Sequence, residues 1–193
     1  MGSFRAADIT EPDMNRMPHR ILATALAAAA VLPAVTLAQA SGAPSKVAAS
    51  ADTAFVRKAS AGGLAEVALG QLAASQGSSA GTKAFGERMV KDHTAANEEL
   101  KGIASSKNMT VSPALMARDK ETAAKLGKKS GAEFDKAYAK MMVADHEEDV
   151  VLFTKEANEG KDPELKAFAA KTLPTLKEHL DMAKKLPGGS GGM

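Results

Sequence analysis

The chain contains no cysteine and no tryptophan, and its aromatic share is 4%, with six phenylalanines and a single tyrosine. Without a thiol it forms no disulfide, carries no thiol-linked lipid and uses no cysteine nucleophile. Charge of one sign is scarce too: 25 basic against 23 acidic residues leave +2 over 193 residues, which gives no nucleic-acid footprint. No strand-like alternation, no glycine-rich phosphate loop after a strand and no nucleophile elbow can be found. What remains is a chain dominated by Ala, Lys, Glu and Leu, the composition of a helical protein with a core of small residues.

The one long apolar run is Ile21 to Ala38, preceded by Arg16, His19 and Arg20 and closed by Ala38-Gln39-Ala40. A basic start, an apolar stretch and a small-x-small ending make residues 1–40 a signal peptide, with residues 1–16 as an over-long start. A retained membrane anchor is the rival reading, since the run approaches spanning length. Pro33 and the cleavage pattern favour removal, which predicts export to the periplasm or outer cell envelope and no stable membrane span afterwards. Cleavage removes three basic and three acidic residues, so the net charge stays at +2 and implies neither an anionic lipid nor a strongly charged partner. Residues 41–51 read as a linker, 52–186 as one domain and 187–193 as a flexible Gly-rich tail; nothing in the pattern names a protein partner.

Start and stop signals divide the domain into four long helices. Asp52 is expected to cap the first, which stops at Gly77; Ser78 or Ser79 caps the second, to about Lys107; Ser130 and Glu133 form a capping box for the third, to about Asn158; Asp162-Pro163 opens the fourth, to about Leu186. Pro174 lies inside the fourth and is expected to kink it. The first and last joins are short, which makes antiparallel hairpins. The middle join, about Asn108 to Lys129, holds a short helix expected to start at Ser112-Pro113. It is long enough to climb back along helices of about 40 Å and to set the second and third helices parallel. The expected fold is therefore an all-α, ferritin-like four-helix bundle with a long crossover; an up-down bundle with a loose middle loop is the alternative.

The candidate site starts from a repeat. "MVKDH", Met89 to His93, returns as "MVADH", Met142 to His146, and a weaker copy ends at His179. His93 lies on the apolar stripe of Phe85, Met89 and Leu100, and His146 on that of Tyr138, Met142 and Phe153. Asp92 and Asp145 fall at the stripe edges. Glu66 is the only charge in "GGLAEVALG", and the helix-weakening glycines around it suggest close helix approach or room for something bound. Glu66, His93 and His146 lie close to mid-helix, so with parallel middle helices they and His179 form one layer. Imidazole and carboxylate together suit Fe, Zn, Mn or Cu. The competing interpretation is a buried polar layer that only specifies packing. Met89 and Met142 could supply soft copper ligands but are more commonly core filler.

"FVRKASAGGLAEVALGQLAASQ", "TKAFGERMVKDHTAANEEL", "GAEFDKAYAKMMVADHEEDVVLF" and "DPELKAFAAKTLPTLKEHLDMAKKL" together resemble the bacterial domain of unknown function 4142 family, over about Ala51 to Leu186. The resemblance implies a ferritin-like four-helix fold and export to the cell envelope, but no established activity; its motif positions are Glu66, His93, His146 and His179. The di-iron signature, a Glu three residues before His, is missing: Val90, Val143 and Leu176 occupy those places. The expectation is an exported binding module for a transition metal, with a structural or stress-related envelope protein as the alternative and a redox enzyme as the weakest reading.

Overall fold

The computed structural model describes residues 46–189, with side chains from residue 51 onward. The proposed signal peptide, residues 41–45 of the linker and the last four residues of the tail lie outside the described residues, and the rest of the linker belongs to the first helix. Five helices follow one another: α1 (Lys46–Gln76), α2 (Ala80–Ser106), α3 (Ala117–Leu126), α4 (Gly131–Glu159) and α5 (Pro163–Lys185). None of them is long and apolar enough to cross a membrane.

α1 packs chiefly on α2, and α4 on α5. Two apolar clusters fill the bundle, and their membership gives the helix directions. One joins Leu69 and Ala73 near the end of α1 with Phe85 and Met89 near the start of α2, Phe134 to Met142 near the start of α4, and Ala183 near the end of α5. The other joins Phe55 and Val56 of α1, Leu100 and Ala104 of α2, Phe153 of α4, and Leu165 to Leu176 of α5. α2 and α4 therefore run parallel, each antiparallel to α1 and α5. The crossover makes this possible: Met109 and Val111 pack on the second cluster, while Ala123 and Leu126 of α3 pack on the first.

α1 and α2 meet through glycines. A Cβ on Gly86 would stand 2.6 Å from the Gly70 carbonyl oxygen, and one on Gly70 would stand 2.8 Å from that of Gly86. Only bare backbone fits on either side, which explains two glycines that would otherwise weaken their helices.

The caps divide into those the sequence located and those it misplaced. Ser79 accepts from Thr82 N–H, and Asp162 accepts from the N–H groups of Glu164 and Leu165. Asp52, expected as a cap, lies inside α1; its carboxylate instead accepts from the backbone of Lys161 at 3.1 Å and Asp162 at 2.9 Å, tying α1 to the α4–α5 turn. Ser130 precedes α4 without a side-chain bond, and Glu133 pairs with Lys129, so no capping box forms. In its place Asp135 accepts from Ser78 and Ser79 N–H at 2.8 Å each, a cross-helix link. α3 begins at Ala117 rather than at Ser112-Pro113; Ser112 N–H is held by the Ser60 hydroxyl at 2.8 Å, keeping that stretch extended against α1. α5 continues through Pro174.

Glu156 is buried in α4 with Oε1 unpartnered. Burial, then the nearby Asp52 and Asp162, raises its pKa to about 7. A carboxyl raised on folding binds a proton that the unfolded chain has released, so stability falls as pH rises from about 4.5 to about 7. Glu156→Gln should match the parent near pH 5 and exceed it near pH 8 by about 1 kcal/mol after solvent screening, read from urea midpoints. At the helix contact, Gly86→Ala should destabilise by about 1–3 kcal/mol through overpacking. Gly102→Ala, where an added Cβ meets nothing within 4 Å, should stabilise by about 0.5–1 kcal/mol.

Candidate metal centre

Between the two apolar clusters lies a layer of polar side chains, one or more from each long helix. Glu66 comes from α1, His93 from α2, His146 from α4 and His179 from α5, and all four are buried. The helix directions produce this layer, because parallel α2 and α4 bring the two copies of the repeated word to one level.

The three imidazole rings form a nearly regular triangle. Their centroids are separated by 5.6 Å for His93–His146, 5.4 Å for His93–His179 and 5.4 Å for His146–His179. One ring nitrogen from each lies within 4.8 Å of the others, the only such group of His, Asp or Glu among the described residues. Phe85 faces two of the rings from the first apolar cluster, at 6.5 Å from His146 and 6.3 Å from His179.

Each ring is engaged at one nitrogen and unpartnered at the other. Nδ1 of His93 lies 2.9 Å from Glu66 Oε2. Nδ1 of His146 lies 2.9 Å from the Met142 carbonyl oxygen, one turn back in its own helix, and 3.3 Å from Glu66 Oε1. Nε2 of His179 lies 2.9 Å from Asp92 Oδ2, which Arg88 also engages. As neutral rings, His146 donates to the Met142 carbonyl and His179 to Asp92, while His93 turns Nδ1 toward Glu66, and this leaves lone pairs on His93 Nε2, His146 Nε2 and His179 Nδ1. Those three nitrogens are buried without a partner. Both Glu66 oxygens also lack an aligned hydrogen bond, despite their short distances to the rings.

The electrostatics favour neutral imidazole. Burial lowers the pKa of His93 and of His146, with nearby carboxylates opposing it only in part. Burial lowers His179 to about 4, against the Asp92 hydrogen bond. Burial raises Glu66 to about 7, opposed by His146. Asp92 is penalised by burial, but its bonds to Arg88 and His179 outweigh this and hold its pKa below the usual carboxylate value. Asp149 is raised well above the ordinary carboxylate range, first by burial and then by Glu66.

All four residues expected from the sequence thus meet in one layer, but with different parts. The imidazoles of His93, His146 and His179 converge on one another, whereas Glu66 stands beside two of them, outside that three-residue group. Met89 and Met142 belong to the first apolar cluster. Asp92 proves to be the acceptor that orients His179, and the repeat had placed it only at a stripe edge. Asp149 and Asn97, one turn beyond His146 and His93, border the layer with no motif to mark them.

A folded-state pKa near 4 for His179 means that the unfolded chain binds its proton first as pH falls. Its contribution is therefore complete above about 6.5 and is lost progressively as pH drops toward about 4, by roughly 2–3 kcal/mol. In the metal-free protein, NMR should find the His179 ring neutral at pH 5.5; a midpoint near 6.5 would mean that burial does not outweigh the Asp92 bond.

No curated protein and no solved structure matches the chain. The family described as Domain of unknown function (DUF4142) matches residues 36–186, nearly the whole of the chain after the apolar run, and the protein belongs to that family.

Proposed function

We propose that this protein is an exported, ferritin-like helical bundle that binds a transition metal ion, foremost Zn²⁺, through His93, His146 and His179, in the service of metal storage, delivery or stress protection in the cell envelope. The observation that carries the reading is the set of three buried, orphaned ring nitrogens, each on a ring whose other nitrogen faces an acceptor. A polar atom left buried without a partner costs about 1–3 kcal/mol, so the layer is expensive when empty. A metal coordinated by the three lone pairs removes that cost. The acceptors behind the rings, two carboxylates and a carbonyl, are the partners that orient metal-bound histidines and raise their basicity.

The spacing of the rings discriminates among geometries. With metal–nitrogen bonds near 2.0–2.1 Å, a tetrahedral ion would hold ring centroids about 5.2 Å apart, and the right angles of an octahedral face about 4.5 Å apart. The observed 5.4–5.6 Å lies nearer the tetrahedral value, and the roughly 5.5 Å of a planar trigonal set, than the octahedral one. Three neutral imidazoles in that arrangement suit Zn²⁺, with copper and iron as competitors and Mn²⁺ less suited to a nitrogen-only set. A tetrahedral ion on three protein ligands keeps a fourth position for water or another small donor. The parallel α2 and α4 with one long crossover support the ferritin-like description. The basic start and Ala38-Gln39-Ala40 support export.

Protein purified from the envelope fraction without a chelating tag should begin near Ser41 and retain close to one metal ion per chain by elemental analysis. At 100 times the dissociation constant, Zn²⁺ should add about 2.7 kcal/mol of stability. His146→Ala should abolish both retention and stabilisation, and Asp92→Asn should weaken affinity by about 10–100-fold while preserving the helical spectrum. Metal content indifferent to these substitutions would leave a layer that serves packing alone.

A further inference from the structure

A small void adjoins the histidine layer on the side of the second apolar cluster. Its volume is about 20 Å³, and its polar wall is formed by Glu66, His93, Asn97, Asp149 and Thr172. Leu100 and Phe153 contribute to its apolar wall. Neither His146 nor His179 borders it. The void therefore meets the imidazole triangle at His93 and extends about one helical turn beyond it, with Asn97 four residues after His93 and Asp149 three after His146.

The groups around this void are mismatched as they stand. Glu66 is 2% exposed, and neither of its oxygens has a donor aligned with it. The carboxyl groups of Glu66 and Asp149 both border the void, where two bare carboxylates would repel each other in a low-dielectric setting. Asn97 Nδ2 is buried and unpartnered. The amide is pressed against α1 at Gly63, where a Cβ would come within 2.4 Å of Asn97 Oδ1. A glycine at that position admits the amide to the layer. A 180° turn of the amide presents its oxygen in place of the orphaned nitrogen without changing the volume it occupies.

A proton shared by the two carboxyl groups would need no empty volume. A space large enough for one water-sized particle, bordered by both carboxyls and an amide, fits a bound cation better. Two carboxylates and an amide oxygen are hard donors, the set preferred by Mg²⁺ or Mn²⁺ rather than by the ions that favour three imidazoles.

We infer that Glu66, Asp149 and Asn97 form a second, oxygen-lined site for a hard divalent cation, adjoining the three imidazoles at His93 and drawing on the Glu66 carboxylate behind the rings. The site does not need the histidine triangle to be filled. Its donors come from α1, α2 and α4, whereas the triangle draws on α2, α4 and α5.

Titration of the chelator-treated full chain with Mn²⁺, with free ion followed by electron paramagnetic resonance, tests this directly. One Mn²⁺ should bind to the parent and to His179→Ala, which breaks the triangle without touching the void. Asp149→Asn should weaken that binding at least 10-fold. Without metal, Asp149→Asn should melt no lower than the parent, because it removes a repelling charge; this separates loss of a ligand from loss of fold. Mn²⁺ affinity unchanged in Asp149→Asn, or lost equally in His179→Ala, would overturn the second site. So would an absence of Mn²⁺ binding beside normal Zn²⁺ retention, which would assign the void to water and leave the histidine reading intact. Failure of Zn²⁺ retention with Mn²⁺ binding preserved would have the reverse meaning.

Discussion

The structure turns on a carboxylate buried at the middle of a bundle. Glu66 stands on α1 with its two oxygens at 2.9 and 3.3 Å from imidazole nitrogens of α2 and α4. Removing a carboxylate from water is costly unless charge or hydrogen bonds compensate, and here burial has already raised its pKa to about 7. The layer concentrates that cost in one slab between two apolar clusters. Those clusters supply the hydrophobic burial that holds the four helices together on either side of the polar slab. Burial also keeps the imidazoles neutral, the state in which a ring nitrogen can act as a ligand.

Chain direction is what brings the repeated word to one level. With α2 and α4 antiparallel, residues flanking the two histidines would be inverted relative to each other, and Phe85 and Tyr138 would lie at opposite ends of the bundle. The crossover through α3 makes them parallel, so Phe85 and Tyr138 share a cluster at 6.1 Å between centroids and the histidines stand together one level away. The close contact of Gly70 with Gly86 draws α1 onto α2 near the same level, which sets Glu66 within reach of His93. Asp52 and Asp135 then fasten the helix pairs at the two ends by accepting backbone N–H groups across the bundle.

Much of this was legible in the letters. Apolar spacing gave the four long helices, and the same spacing placed His93, His146 and His179 on inward faces, because a 3.6-residue period is a property of each helix alone. Glu66 stood out as a lone charge among apolar residues and glycines. Asp52 was misread because an acidic residue near a helix start looks the same whether it caps its own helix or a turn 109 residues away. Ser130 and Glu133 matched a capping pattern, yet the nearby Lys129 ammonium took the carboxylate.

The sequence by itself determined that the chain is helical, which face of each helix is buried, and that histidines lie on those faces. Tertiary structure alone decided that three rings converge into a triangle, that Glu66 backs two of them and Asp92 the third, and that Asn97 and Asp149 enclose a void beside them. The physical reason is the range of the interactions. Periodicity and propensity act within a few residues, whereas the rotation and offset of one helix against another depend on packing summed over both surfaces. A shift of one turn, about 5.4 Å, would part His93 from Glu66 or His179 from Asp92 without altering a single helical face.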